Sequence, residues 1–136
     1  MNIEEIAQQV VDSAIKVHTA LGPGLLESAY QTCFAHELRK RGLRVETEVP
    51  VPVLYDTVQI DVGYRLDMRV EGAIVVENKA VEVLLPVHQA QLMTYLKLAG
   101  HTLGFLINFN VGRLRDNGIR RVVLNHSTRP LKSKPS

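Results

Sequence analysis

The chain has 136 residues, 46% of them hydrophobic and 22% charged, which is the size and composition of one globular domain able to hold a core without staples. No apolar run approaches the ~20 residues that cross a bilayer, so a transmembrane helix is excluded from the expectations. The net charge of +2 hides an asymmetry: 9 basic and 13 acidic residues up to Val111, then 7 basic residues against Asp116 alone from Gly112 onward.

The opening MNIEEIAQQV is acidic and amphipathic, unlike a secretory signal. Asn2 followed by Glu5 has the spacing of a capping box. Ile6, Val10, Ala14, Val17 and Leu21 then recur at helical spacing as a core stripe, and Gly22-Pro23-Gly24 ends that helix. A second helix is expected from Leu25 to Arg41, with Leu26, Tyr30, Phe34 and Leu38 on one stripe and Gly42 as its stop. Cys33 on this helix reads as a small core residue. As the lone cysteine it allows no internal disulfide, which fits a reducing, cytoplasmic location.

From Leu43 the period changes to two. Arg44 to Leu54 reads as a strand whose Pro50 and Pro52 mark an edge or an irregularity. Tyr55-Asp56-Thr57 turns into a strand over Val58 to Val70, interrupted by a bulge at Gly63. Glu71-Gly72 turns into Ala73 to Ala80, closing an antiparallel meander. Pro86 to Gly100 returns to helical spacing. Leu103 to Phe109 is an interior strand and Ile119 to Leu124 one more. The order α-α-β-β-β-α-β-β is that of an α+β or mixed α/β domain, a central sheet with helices against it. It is expected over residues 1–124, with a basic tail over 125–136. Arg113, Arg115, Arg120 and Arg121 precede that tail. They suit a polyanion contact, with a merely solubilising role as the alternative.

Three polar residues fall inside the predicted meander. Glu77 and Lys79 share one side of the strand IVVENKAV, because side chains two apart in a strand point the same way. If the hairpin pairs residues summing to about 143, Asp67 lies opposite Val76, within one residue of Glu77. Adjacent carboxylates repel unless a proton or a metal lies between them, and oxygen ligands favour Mg²⁺ or Mn²⁺. A salt bridge from Lys79 to Glu77 or Asp67 is the purely structural alternative.

Asp67, nine residues, then Glu77-Asn78-Lys79 resembles the D…(D/E)-x-K signature of the PD-(D/E)XK nuclease superfamily. Gly24-Leu-Leu-Glu27-Ser-Ala-Tyr30 is similar to the G-x-x-E-x-x-Y motif of small prokaryotic members. The segment from Val17 to Pro23 is also similar to theirs, and Gln91-Leu-Met-Thr-Tyr95 resembles the Q-x-x-x-Y motif of the RecB-like branch. The resemblance covers about Ile6 to Phe109. It implies a restriction-endonuclease-like core and a Mg²⁺-dependent nuclease that hydrolyses nucleic acid, with DNA the expected substrate. It implies metal ligands at Asp67, Glu77, the Asn78 carbonyl and Glu27. Lys79 would orient water, and Gln91 and Tyr95 would contact phosphate or brace Lys79, with capping of core packing as their alternative. His18, Tyr30 and His88 would support or position. Asn78 departs from the apolar residue usual there and needs partners on the other side of the strand.

A catalytically silent module that binds nucleic acid or a partner is the competing expectation, with a second copy or an accessory protein as further partners. No His-Glu-x-x-His, Cys-x-x-Cys or P-loop pattern occurs, so zinc proteases, zinc ribbons and P-loop NTPases do not fit. Cys33 has no assigned base, so a thiol hydrolase fits poorly too.

Overall fold

The computed structural model describes residues 1–125; the rest of the expected tail, 126–136, lies outside the described residues. Helix α1 (Ile3–Leu21) opens on the expected capping box. Asn2 Oδ1 accepts the Glu5 N–H at 2.9 Å, and Glu5 Oε1 accepts the Asn2 N–H at 3.0 Å. Ile6, Val10, Ala14 and Val17 are buried as predicted, but Leu21 at the helix end is exposed. Helix α2 (Glu27–Lys40) starts later than the sequence suggests. Leu26 is its N-cap, in extended conformation, and is 77% exposed, so the buried stripe begins at Tyr30. Cys33 is exposed, contrary to expectation. It lies about 100° round the helix from Phe34, on the shoulder of the stripe rather than in it. Buried Glu37 ties the helices together, bonded to Arg41 at 2.9 Å and paired with Lys16 at 3.5 Å.

The main sheet has five strands in the order β1-β4-β5-β6-β7. Their bounds are β1 (Val45–Pro50), β4 (Arg65–Val70), β5 (Ile74–Lys79), β6 (Leu103–Asn108) and β7 (Ile119–Val123). Neighbours are antiparallel except β5 and β6, which run parallel. The parallel pair is joined by α3 (Pro86–Ala99), the crossover that parallel strands require. β6 is buried along its whole length, as its continuous apolar run predicts.

The two long strands expected before β5 are each broken. β2 (Val53–Tyr55) and β3 (Val58–Ile60) leave the main sheet and pair only with each other. Val51-Pro52 ends β1, because proline cannot continue the ladder. On the return, Gly63 is not a bulge. It sits at φ +83°, its amide bonded to Asp61 Oδ1 at 3.1 Å, in a turn that separates β3 from β4.

Helices cover both faces. α1 and α2 pack with Met68, Val70, Ile74, Val76, Phe105 and Ile107. On the other face α3 packs through Leu92, Tyr95 and Leu96 against Val75, Leu106 and Val122. Gly104 allows that approach: a Cβ there would meet the Leu92 side chain at 3.0 Å and the Val75 carbonyl at 3.1 Å. Among the described residues no helix is long and apolar enough to cross a membrane.

Candidate active site

The β4–β5 ladder pairs Val70 with Ile74, Arg69 with Val75 and Met68 with Val76, and then ends. These pairs sum to 144, not 143, because the turn includes Ala73, whose amide bonds the Val70 carbonyl at 3.0 Å. The corrected register places Asp67 directly opposite Glu77. Ordinary ladder bonds give way there to side-chain ones. The Asp67 N–H donates to Glu77 Oε2 at 2.9 Å, and the Asn78 N–H donates to Asp67 Oδ2 at 2.8 Å.

Both carboxylates are held above their ordinary range. Burial pushes Glu77 up to about 8, and the Asp67 charge adds to the shift. Burial pushes Asp67 up to about 6, against the Asn78 amide and the Lys79 charge, which pull it down. Lys79 makes no ion pair within 4.0 Å among the described residues, so the salt-bridge alternative is not what forms. The Lys79 carbonyl is engaged by the Phe109 N–H at 2.9 Å. Beyond it, the buried Asn108 side chain brackets Val81, accepting its N–H at 3.0 Å and donating to its carbonyl at 2.9 Å.

Glu27, at the first turn of α2, faces Asp67 across a cleft of about 440 Å³. Glu48 lines the same cleft and raises both strand carboxylates through its charge, a residue the sequence reading missed. The β1–β4 pairs Thr47–Met68 and Val49–Leu66 leave Glu48 opposite Asp67. Its backbone is left-handed, at φ +53°, a conformation costing a residue with a Cβ roughly 1–2 kcal/mol. Strand alternation places Glu48 with Glu46 on the outer side, and nothing in the sequence marks this departure. Gln31, one turn after Glu27, links the parts: its Nε2 donates to Glu48 Oε2 at 2.8 Å, and its Oε1 accepts from Asn78 Nδ2 at 3.4 Å. Asn78 is fully buried, with Nδ2 also 3.1 Å from the Met68 sulfur, while its Oδ1 has no partner among the described residues.

From the other face, α3 brings Tyr95 against the pair. Burial first, then the Glu77 charge, raises the Tyr95 phenol, so it stays a neutral donor, while the Gln91 side chain pulls the other way. His88 serves elsewhere: its Nδ1 accepts the Leu85 N–H at 2.9 Å and caps the start of α3. His18 and Tyr30 brace the scaffold. His18 Nε2 donates to the Val111 carbonyl at 2.8 Å. The Tyr30 hydroxyl donates to the Gly22 carbonyl at 2.5 Å and accepts the Leu25 N–H at 3.1 Å, while its ring stacks on Phe109 at 4.6 Å. That lock fixes the turn from which Glu27 enters the cleft.

The four arginines do not share one surface. Arg121 grips Glu4 with two nitrogens, the shorter contact at 2.6 Å, and lies over the Phe105 ring. Arg120 lines a groove beside Pro86, Ala90 and Met93 of α3. Arg113 and Arg115 line a separate cleft near the end of α1.

The donor set fits a hard divalent cation. Buried Glu77 and half-buried Asp67 face each other, each has one oxygen bonded to an amide, and among the described residues no ammonium pairs with either within 4.0 Å. Among the described residues, however, no three His, Cys, Asp or Glu side chains are gathered closely enough to hold an ion. Glu27 shares the cleft without joining a formed ligand set.

Comparison with curated proteins and with solved structures gives no match. The model of the PD-(D/E)XK nuclease superfamily matches residues 4–122, spanning both helical layers and all but the last residue of the main sheet. Members of this superfamily generally use divalent metal ions, and their substrates are nucleic acids. The mixed α+β sheet flanked by helices is consistent with their restriction-endonuclease-like fold, and the chain belongs to the PD-(D/E)XK nuclease superfamily.

Proposed function

We propose that this chain is a Mg²⁺-dependent phosphodiesterase acting on nucleic acid, with DNA as its expected substrate and Mn²⁺ able to replace Mg²⁺. One observation carries the reading: the facing carboxylates of half-buried Asp67 and buried Glu77, with no ammonium paired to either among the described residues. Gly24, Glu27 and Tyr30, with Gln91 and Tyr95, support placing it in the GxxExxY, RecB-like branch.

Asp67 and Glu77 would hold the cation, with the Asn78 carbonyl adding a ligand and Glu27 closing from α2. When bound, a divalent cation supplies charge stabilisation to a phosphoryl group and acidifies water. Lys79, on the same side of β5 as Glu77, would orient the attacking water and offset the charge that builds on the phosphate. Tyr95 would donate a hydrogen bond from the opposite wall, and Gln91 would hold its hydroxyl in place. Tyr30 and His18 would keep Glu27 in position without touching substrate.

A silent nucleic-acid- or partner-binding module is the second reading, favoured by the carboxylates not being gathered into a closed set. Pure protein incubated at low salt with single- and double-stranded DNA and RNA separates the two. Cleavage that requires Mg²⁺ or Mn²⁺ and disappears with EDTA, with Glu77→Gln and with Lys79→Ala supports the phosphodiesterase. Salt-sensitive binding without cleavage supports the module, and cleavage surviving Lys79→Ala contradicts the site.

A further inference from the structure

Arg113 and Arg115, at the start of the short π-helical turn Leu114–Gly118 after β6, line a cleft of about 470 Å³ against the last turns of α1. His18, Thr19 and Gly22 form the facing wall. The cleft is held by fixed contacts. His18 clamps its two walls through the Val111 carbonyl at 2.8 Å. Leu114, between the two arginines, is 3% exposed and packs into the α1–α2 core, so both arginines leave an anchored backbone.

The charge in this cleft is barely compensated. Arg115 has no ion-pair partner among the described residues, and Arg113 meets only the exposed Asp116, at 4.0 Å. The C-terminal end of α1 opposes an anion, but a helix end carries only about half a negative charge against two full positive ones. The Gly22 N–H already occupies the His18 carbonyl at 2.7 Å. Thr19 is exposed and can add a neutral donor.

Two short paths connect the cleft to the carboxylates. The Phe109 N–H bonds the Lys79 carbonyl, so the segment running on to Val111 and Arg113 leaves the sheet beside Lys79. On the other wall Gly22 accepts the Tyr30 hydroxyl, and Tyr30 lies one turn after Glu27. The cleft thus lies at the same end of the sheet as the acids, where β5 and β6 finish. A polyanionic strand approaching Glu27, Glu48, Asp67 and Glu77 meets repulsion there, and two guanidinium groups at the same end of the sheet offset it.

We propose that this cleft seats a flanking, non-scissile backbone phosphate of the nucleic-acid strand whose reacting phosphodiester lies at Asp67 and Glu77. The inference rests on the phosphodiesterase reading for the second half of that statement, but not for the binding itself. A phosphate contact orients the strand without reading its sequence.

The test measures binding of several unrelated oligonucleotides across a salt series with Mg²⁺ present, in a Lys79→Ala background so that cleavage is slow on the timescale of the measurement. Adding Arg113→Gln/Arg115→Gln is expected to weaken binding alike for every sequence and to lower the salt slope by about 1. Lys40→Gln/Lys97→Gln, which removes the same charge from other helices, is expected to leave the slope unchanged. Cleavage by the native chain is measured in parallel. Cleavage with an unchanged slope in the arginine variant overturns the cleft and leaves the phosphodiesterase standing. A lowered slope without cleavage under any metal upholds the cleft and overturns the phosphodiesterase. An equal drop in the lysine variant reduces the effect to general surface charge and overturns the cleft. Absence of all nucleic-acid binding overturns both.

Discussion

Asp67 and Glu77 each hold an amide of the opposite strand: the Asp67 N–H lies 2.9 Å from Glu77 Oε2, and the Asn78 N–H lies 2.8 Å from Asp67 Oδ2. The exchange occupies one oxygen of each carboxylate and fixes its direction. It also sets two like charges side by side, Glu77 buried and Asp67 half-buried, which is costly unless a proton or a cation intervenes.

The metal-free protein should therefore lose stability as the pH rises. Both acids have folded values raised above the unfolded ones, to about 6 for Asp67 and about 8 for Glu77. Below about pH 4 both states are protonated, and the acids' contribution is fully present. Between there and about pH 8 the folded chain keeps protons that the unfolded chain has released, so stability falls across that window. Thermal unfolding in EDTA from pH 5 to 8 checks this. Tm should decline, Mn²⁺ should restore more at pH 8 than at pH 5, and Glu77→Gln should flatten the decline. A Tm in EDTA that rises over this range contradicts the buried pair.

Lys79→Ala should separate activity from stability. Lys79 is half-buried and forms no ion pair among the described residues, so its loss should change folding stability by less than about 1 kcal/mol. Metal-dependent cleavage should fall roughly 10²-fold or more, the scale of a lost proton-handling or water-orienting group. Denaturant melts and single-turnover rates on one preparation test both halves. A large loss of stability would mean that Lys79 holds the sheet.

Tyr30→Phe removes only the hydroxyl that bonds Gly22 and Leu25 and leaves the ring stacked on Phe109. Two hydrogen bonds at their usual net worth predict a loss of about 1–2 kcal/mol in urea unfolding. Activity should fall mainly as weaker apparent metal affinity, because Glu27 enters from the turn that Tyr30 locks. Excess Mn²⁺ should then recover most of the rate. A rate that excess metal does not restore would put Tyr30 in the chemistry instead.

Asn78→Val replaces a buried side chain whose carbonyl oxygen has no partner among the described residues. The substitution removes two weak hydrogen bonds of the amide nitrogen, at 3.4 Å to Gln31 and 3.1 Å to the Met68 sulfur. Removing the orphaned oxygen and installing a better strand former offset them. Stability by chemical denaturation should be unchanged or higher by about 1 kcal/mol, with cleavage retained, because the backbone N–H that holds Asp67 stays. A drop above about 2 kcal/mol would show that the amide is a needed brace.

What the sequence disclosed follows from periodicity. The two-residue spacing of Glu77 and Lys79 fixed their shared side of β5, and the turn at Glu71-Gly72 brought Asp67 within one residue of its true partner. The miss came from Ala73, which joins the turn and shifts the register. Glu48 could not be found this way, because a left-handed residue inside a strand violates the alternation on which the reading depends. The β2–β3 hairpin escaped for a related reason: its residues carry strand propensity, but propensity does not say which sheet a strand joins. His88 shares a helix face with Gln91 and Tyr95, yet its ring is drawn to the Leu85 amide at the helix start. The arginine quartet shows the same limit, since closeness along the chain sent Arg121 to Glu4 and Arg120 to the face of α3.

The most direct measurement is anomalous diffraction from crystals of the native protein soaked in Mn²⁺. The account predicts a peak between β4 and β5 with oxygens of both Asp67 and Glu77 at roughly 2.1 Å. Carboxyl oxygens of the two residues more than about 8 Å apart, or a saturating soak that leaves that position empty with Lys79 bridging the acids, would contradict it.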